Sequence, residues 1–269
     1  MNDRPGDAAL AEAPPVLRRE IRDGVAALVL DRPRQYNALS RALLQALHEA
    51  LDAIARDGNV RVVTITGAGN AFCAGHDLKE MRALPSQAEV EALFRSCSDM
   101  MRKIVALPVP VIAVVNGLAT AAGCQLVAQC DLAVASDQAK FAVSGVNLGL
   151  FCSTPAVALS RNLGRKRAAE MLFTGGFIDA QKALEWGLVN RIAPPEKLAE
   201  ATDELVASLK AKPREALALG KALFYRQLEA GLGEAYDDAT KTISCNMDTD
   251  YAREGVDAFL AKRPPNWKR

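Results

Sequence analysis

The segment PVIAVVNGLATAAGCQLVAQCDLAVAS, residues 110–136, contains a complete strand, turn, helix and strand pattern. The apolar run at 110–117 predicts a strand, small residues follow it without a break, and a helix is predicted to begin near Ala122. DLAVAS at 131–136 predicts a further strand. Continuously apolar strands that alternate with helices are typical of a buried, largely parallel sheet, so the segment predicts an α/β fold.

The preceding residues repeat this alternation. The predicted elements are a strand from Val25 that closes at Pro33, a helix capped by Ser40 that stops at Asp57-Gly58, a strand at 60–67, and a helix that opens at the capping box of residues 86–89 and ends near Leu107. After about residue 160 helical patterns dominate, and none of those segments contains a convincing strand. We therefore predict a disordered lead at 1–15, an α/β core at 16–194, and a helical region at 195–269 that packs on the core or on another subunit.

Composition excludes several classes of function. The 33 Lys and Arg residues nearly balance the 32 Asp and Glu residues, so no strong field would draw the chain to nucleic acid or to an anionic membrane. The N-terminal residues lack the apolar stretch of a signal peptide and contain acids that a transit peptide avoids, so we expect a cytoplasmic location. With only His48 and His76, and six cysteines without a CxxC pair, no metal site is expected.

A second glycine-containing turn, TGAGNAFCAGHDLKEM at 66–81, also follows a predicted strand. It begins a GxGxxG pattern but has Phe72 at the third glycine, so a dinucleotide site is not supported. A turn that presents its backbone to a ligand is favoured over a plain surface loop. If this turn met the one before Ala122, two backbone N–H groups could converge as an oxyanion hole, although small residues also occur where helices pack tightly on sheets.

Several motifs resemble, in order and spacing, the enoyl-CoA hydratase/isomerase, or crotonase, superfamily. They are DRPRQYNALS (31–40), AFCAGHDLKEM (71–81), the segment at 110–136, FAVSGVNLGL (141–150) and TGGFIDAQKALEWGLVNRI (174–192). The variants GHDLKE, NGLATAAGCQLVA and GVNLGLFCSTP are most similar to the branch called enoyl-CoA hydratase domain-containing protein 3. The resemblance covers nearly the whole chain.

The resemblance implies a crotonase-like spiral of ββα units with a helical C-terminal part. It also implies a homotrimer or a hexamer built as a dimer of trimers, and an acyl coenzyme A thioester as the ligand, with no separate cofactor. By the same resemblance, the backbone N–H groups of His76 and Ala122 would hold the thioester oxygen. Fixed donors at that point stabilise the enolate that forms when chemistry occurs at carbons 2 and 3.

Further binding residues are implied by the resemblance alone. They are His76, Asp77, Leu78 and Lys79 along the pantetheine and acyl end, Arg32, Arg34, Asn37 and Ala38 beside the adenine and phosphates, and Phe259 and Lys262 as a cover over the nucleotide of a neighbouring subunit. In this family, the equivalent turn usually directs the side chain that corresponds to Asp77 away from the acyl group, which favours a structural role for the Asp77 carboxylate.

The chain departs from the family where hydratases carry two glutamates, because those positions are Gln125 and Gly145. Neither residue can titrate near neutral pH, so ordinary hydration is expected to be weak or absent. Three interpretations follow. The first is an enzyme whose proton carrier is His76, Cys152 or ordered water; the second is a non-catalytic acyl-CoA binding or sensing oligomer; and the third is a scaffold that has lost affinity for coenzyme A.

Overall fold

A computed structural model describes residues 15–267, and within them lie ten strands. They are β1 Leu17–Arg22, β2 Val25–Leu30, β3 Val62–Gly67, β4 Ala71–Cys73, β5 Val111–Val115, β6 Leu118–Thr120, β7 Leu132–Ser136, β8 Lys140–Ala142, β9 Ile178–Asp179 and β10 Arg191–Ala193. The larger sheet has the order β1-β2-β3-β5-β7-β10, and the smaller sheet has the order β4-β6-β8-β9. The pairs β1 with β2 and β8 with β9, at one edge of each sheet, are antiparallel, and the other pairs are parallel.

Residues 15–267 also form eleven α-helices, most of which alternate with the strands up to β10. They are α1 Arg41–Arg56, α2 Leu78–Arg82, α3 Gln87–Ala106, α4 Ala122–Gln129, α5 Ser153–Asn162, α6 Arg165–Thr174, α7 Ala180–Trp186, α8 Leu198–Lys210, α9 Arg214–Gln227, α10 Leu232–Met247 and α11 Asp250–Leu260. The chain passes from the larger sheet to the smaller sheet and then into a helix three times, as β3-β4-α3 with the short α2 between them, β5-β6-α4 and β7-β8-α5. The expected α/β spiral of ββα units is confirmed.

Local sequence signals account for most element boundaries. The Oγ of Ser40 accepts a hydrogen bond from the N–H of Leu43 at the start of α1, and the Oγ of Ser86 accepts one from the N–H of Glu89 at the start of α3. The expected capping box is only half formed, because the carboxylate of Glu89 accepts from Arg41 at 2.9 Å.

The prediction that no strand follows residue 160 is wrong. β9 has two residues and β10 has three, which is too short for an alternating pattern to show in the sequence. β10 nevertheless completes the larger sheet by pairing with β7 from Arg191 to Ala193.

Both faces of the larger sheet are covered. One face packs in the main core with α1, α3 and α4, whereas Val62, Ile112 and Val134 on the other face pack against Leu198 and Val206 of α8. The first helix of the predicted C-terminal region is therefore part of the α/β body. Residues 1–14 of the predicted disordered lead lie outside the described residues.

A buried polar cluster attaches α9 to this body. The ammonium of Lys221 lies 2.6 Å from the carboxylate of Asp131 and also donates to two backbone carbonyls, while the hydroxyl of Tyr225 donates to the same carboxylate at 2.8 Å. The N–H of Val111 donates to Asp131 as well, which ties the cluster to β5. Because every partner is satisfied, these contacts hold an otherwise exposed helix in place.

Large apolar side chains are exposed along the last three helices, α9 to α11, and at Leu228, which ends α9. They are Phe224, Leu228, Leu232, Tyr236, Ile243, Met247, Val256, Phe259 and Leu260. Apolar surface on this scale is typical of a protein interaction surface. No helix within residues 15–267 combines the length and apolar character needed to cross a bilayer.

Candidate active site

Two turns touch where the strands of the smaller sheet lead into α2 and α4. Gly75 has a φ of +91°, and a Cβ placed there would lie 2.8 Å from the Cβ of Ala121 and 3.1 Å from the backbone nitrogen of Ala122. A Cβ at Gly123 would overlap the carbonyl oxygen of Cys73. Both sides of the contact therefore require glycine. Gly75 needs it for its left-handed backbone and for lack of space, and Gly123 needs it for lack of space alone.

One polar contact joins the two turns, and a second anchors the turn before α4 to strand β8. The hydroxyl of Thr120 donates to the carbonyl of Ala74 at 3.0 Å, and the N–H of Ala121 donates to the carbonyl of Ala142 at 2.9 Å. Ala121 itself has φ +48° and ψ −119°, a conformation that L residues rarely adopt. Such strain costs about 1 to 3 kcal/mol and persists only where the surroundings impose it. It fixes the direction in which the next N–H points.

The backbone N–H groups of His76 and Ala122 have no acceptor among the described residues. Leu39 forms an isolated β-bridge with His76 on the first turn. In this bridge the N–H of Leu39 donates to the carbonyl of Gly75 and the N–H of Asp77 donates to the carbonyl of Leu39, so the N–H of His76 is not used. Ala122 is the first residue of α4, where an N–H has no partner inside the helix and the helix dipole strengthens it as a donor. Two free donors on touching turns have the composition of an oxyanion hole.

Asp77 has a structural role in this arrangement. Its Oδ1 accepts from the N–H groups of Lys79 and Glu80 at the start of α2, and its Oδ2 lies 2.9 Å from the guanidinium of Arg32. Partial burial opposes ionisation of this carboxyl, but the bonds from Arg32 and the two N–H groups keep its pKa below the usual value. The expected structural role of Asp77 in the turn agrees with these contacts.

The turn at 32–39 is joined to the same site, and its polar groups are engaged within the fold. Asn37 is fully buried, and its amide accepts from the N–H of Arg32 and donates to the carbonyls of Ala68 and Ala71. Ala38 is also buried, and its carbonyl accepts from Arg32 at 2.6 Å. The side chain of Asn37 and the carbonyl of Ala38 therefore hold the turn in place, and the prediction that this stretch borders coenzyme A stays a prediction.

The remaining predicted binding residues are accessible. Arg34, Leu78 and Lys79 are exposed beside the two turns, and Phe259 and Lys262 are exposed at the end of α11. Within residues 15–267, no hydrogen bond or ion pair joins Phe259 or Lys262 to the turns. The prediction that these two cover a neighbouring subunit's ligand stays a prediction.

Unpaired side-chain atoms lie at the same site. Gln125 is 4% exposed and its Oε1 has no hydrogen-bond partner. His76 is half-buried; its ring nitrogens make no hydrogen bond of normal geometry, and the nearby Leu39 backbone partly opposes the fall in its pKa. Helical side chains lean toward the N-terminus of their helix, so Gln125, three residues after Ala122, extends along the face that carries Ala122. The His76 ring packs against the edge of Phe94 with centroids 5.0 Å apart. Burial disfavours the imidazolium and lowers the pKa of His76 to about 4, so the ring is neutral at pH 7.

Gly145 offers no room for a side chain. A Cβ there would lie 2.5 Å from the carbonyl oxygen of Leu150 and 2.7 Å from the Sγ of Cys152. The N–H of Leu150 also donates to the carbonyl of Gly145, which closes the loop tightly. Burial raises the pKa of the Cys152 thiol, so the group beside Gly145 is a neutral thiol at pH 7.

Comparisons with known proteins agree with this fold and these turns. The family model described as enoyl-CoA hydratase/isomerase matches residues 20–269. A crystal structure of an enoyl-CoA hydratase from Mycobacterium smegmatis is 57% identical, with a TM-score of 0.92, over 94% of this chain and 99% of the other. The structure of human enoyl Coenzyme A hydratase domain-containing protein 3 is 45% identical, with a TM-score of 0.90, over 94% of this chain and 100% of the other.

The chain belongs to the enoyl-CoA hydratase/isomerase family. The rat protein named enoyl-CoA hydratase domain-containing protein 3, mitochondrial, is 46% identical over 91% of this chain and 82% of its own length, so the resemblance to that branch is confirmed. The expected cytoplasmic location is wrong by the same comparison, because the vertebrate relatives of this branch are named as mitochondrial proteins. Acidic residues near the N-terminus were insufficient grounds for that expectation.

Sequence reasoning missed three features that position the site. They are the hydroxyl of Thr120, the strained backbone of Ala121, and Phe94 against the His76 ring. Thr120 could have been found, because a polar residue at the end of a buried strand needs a partner. The other two depend on long-range packing and have no local signal.

The low pKa of His76 predicts a dependence of stability on pH. The unfolded chain binds a proton near pH 6.5, whereas the folded chain resists it until about pH 4, so acid favours unfolding within this window. Between pH 7 and pH 4, the free energy of unfolding of the wild-type protein should fall by about 3 kcal/mol more than that of His76→Leu, since each unit of pKa shift corresponds to about 1.4 kcal/mol. Urea unfolding at half-unit pH steps measures the difference, and parallel profiles for the two proteins would contradict it.

Proposed function

We propose that this chain is an acyl-CoA thioester-binding enzyme of the hydratase/isomerase type, which stabilises an enolate in an oxyanion hole of two backbone N–H groups. The observation that carries the proposal is the pair of free N–H groups of His76 and Ala122 on turns that touch through Gly75. Removal of one such donor in other enzymes costs about 3 to 4 kcal/mol of transition-state stabilisation. Because backbone groups supply this stabilisation, the side chains at these positions can vary.

Proton transfer is the weak part of this site. Gln125 cannot titrate, and no acidic side chain fits at Gly145 without displacement of Leu150 or Cys152. General acid–base catalysis contributes about 10²- to 10⁴-fold, so ordinary hydration of an enoyl thioester should be weak or absent. Of the candidate carriers, the neutral imidazole of His76 is better suited than the Cys152 thiol, because its basicity is close to that of a carboxylate.

A non-catalytic acyl-CoA binding or sensing oligomer is the second candidate. The closed loop at Gly145 favours it, because the chain has filled the space of one catalytic group instead of replacing that group with another acid. A scaffold without affinity for coenzyme A is less well supported, since the free N–H groups of His76 and Ala122 would then be retained without a ligand.

Coenzyme A enters this proposal as part of the ligand, and no separate cofactor is needed. The exposed Arg34 and Lys79 are available to its phosphates and pantetheine. The apolar flanks of α9 to α11 support assembly as a homotrimer or as a dimer of trimers, in which Phe259, 82% exposed, and Lys262 would cover a neighbouring subunit's nucleotide.

The deciding experiment pairs binding with turnover. Purified protein is titrated by calorimetry with saturated and enoyl thioesters of coenzyme A, and the same mixtures are followed by chromatography over time. We expect binding of both thioesters and slow conversion of the enoyl compound. Binding without any product would favour the sensing oligomer, and the absence of any binding would contradict the proposal.

Replacement of Gln125 tests where the reacting carbons lie. Gln125→Glu should raise hydration of a short enoyl thioester by roughly 10- to 100-fold, because one of the two acid–base groups is restored. The matched control is Gln129→Glu at the other end of α4, which should leave the rate unchanged. If the two variants bind the thioester and hydrate it equally slowly, Gln125 does not face the reacting carbons.

A further inference from the structure

Helix α11 contributes little of its own surface to the core. Of its eleven residues only Ala258 is buried, whereas Val256, Phe259 and Leu260 are exposed. A helix in a globular protein is normally held by an apolar face that packs against the core. One buried alanine supplies little packing of this kind, so α11 needs another attachment.

The segment after α11 folds back along the helix. The chain reverses at Lys262, whose φ is +51°. The N–H of Lys262 donates to the carbonyl of Phe259, and the N–H of Arg263 donates to the carbonyl of Ala258, which is the pattern of a Schellman helix end. Glycine usually occupies this left-handed position, so a lysine there depends on support from the surrounding contacts.

Glu254 fastens the reversed segment to α11. Its carboxylate accepts two bonds from the guanidinium of Arg263, at 2.6 and 2.9 Å, and one from the N–H of Asn266 at 2.6 Å. A bidentate pair of this kind has a defined geometry. Because both side chains are partly open to water, the pair directs the segment more than it stabilises it.

Trp267 connects the segment to the rest of the molecule. Its indole N–H donates at 2.9 Å to the carbonyl of Ala211, in the connection between α8 and α9. The same ring contacts Gly255 of α11, where an added Cβ would lie 3.0 Å from a ring carbon. Within residues 15–267, no other hydrogen bond and no ion pair joins residues 250–267 to any residue before Asp248.

An indole ring is well suited to this position. It provides a large apolar surface and keeps an N–H for a polar partner. Gly255 has no side chain, so the ring can approach the α11 backbone closely. Trp267 is therefore the one side chain that contacts α11 and the body at once by a hydrogen bond and by packing, among the residues that the structure describes.

We propose that residues 261–267 form a strap that holds α11 on the body of the protein, with Trp267 as its anchor and Glu254 as its clasp. The closed strap fixes the direction in which the exposed apolar side chains of α11 face. An open strap frees α11 while α9 keeps its position, because Lys221 and Asp131 attach α9 separately. The device is a local opening, and it does not depend on which ligand the two turns bind.

Hydrogen–deuterium exchange of the full-length protein, measured by mass spectrometry, tests the strap. We expect Trp267→Ala to speed exchange in peptides from α11 by roughly tenfold or more, because an aromatic contact and its hydrogen bond are lost together. Exchange in α9 should stay at the wild-type rate. Glu254→Ala should give a smaller increase in the same peptides.

The matched control is Asp257→Ala. Asp257 lies on the same helix, and its side chain makes no hydrogen bond within residues 15–267, so exchange in α11 should not change. Unchanged exchange in α11 of Trp267→Ala would overturn the strap. Equal acceleration of α9 and α11 would overturn it as well, because the whole helical region would then have loosened.

A substitution at Gly255 separates the strap from helix propensity. Leucine forms helices better than glycine, so Gly255→Leu should slow exchange in α11 if propensity alone decides. The leucine side chain would occupy the space of the Trp267 ring, so the strap predicts faster exchange instead. Gly220→Leu in α9 is the control, since the space around Gly220 is open, and it should not speed exchange in α9. Slower exchange of α11 in Gly255→Leu would contradict the strap.

Fluorescence gives an independent reading of the anchor. The chain has two tryptophans, so Trp186→Phe leaves Trp267 as the single emitter. In this background Glu254→Ala should move the emission to longer wavelength, because release of the clasp exposes the ring to water, and Asp257→Ala should not. An identical spectrum for Glu254→Ala and the Trp186→Phe parent would show that Glu254 is not the clasp.

Discussion

The close contact between the turn at Gly75 and the first residues of α4 is the constraint on which the site depends. It requires a glycine with φ +91° on one side, a strained Ala121 with φ +48° on the other, and a hydroxyl from Thr120 to hold them together. These local costs are offset by the smaller sheet, whose strands β4 and β6 lie side by side and end at the contact. The result is a pair of N–H groups with no acceptor among residues 15–267.

Around this contact, the chain separates atoms that maintain the fold from atoms left for a ligand. Asn37, Asp77 and Arg32 have their polar groups engaged with one another or with backbone. Gln125 and the ring of His76 have unpaired buried atoms. The proposed site therefore offers backbone donors to a thioester oxygen, whereas Gln125 and Gly145 carry no group that can transfer a proton near neutral pH.

Much of this could be predicted from the sequence. The strands at Val25–Leu30 and Val111–Val115, the caps at Ser40 and Ser86, and the start of α4 all follow from local patterns. Two short strands, β9 and β10, were missed because pairing with existing sheets, and not their own residues, stabilises them. The inward-facing amide of Asn37 could not be predicted, because it donates to the carbonyls of Ala68 and Ala71, which lie 31 and 34 residues further along the chain.

The most direct test of the account is the carbonyl stretch of a bound thioester, measured by isotope-edited infrared difference spectroscopy with a ¹³C-labelled saturated acyl-CoA. Two fixed N–H donors should lower the stretching frequency relative to the same thioester in water. Gly75→Ala should abolish the shift, because its Cβ would displace Ala121 and Ala122, whereas Gly187→Ala should retain it, since Gly187 has a similar φ of +86° with open space around it. A wild-type frequency equal to that in water would contradict the oxyanion hole.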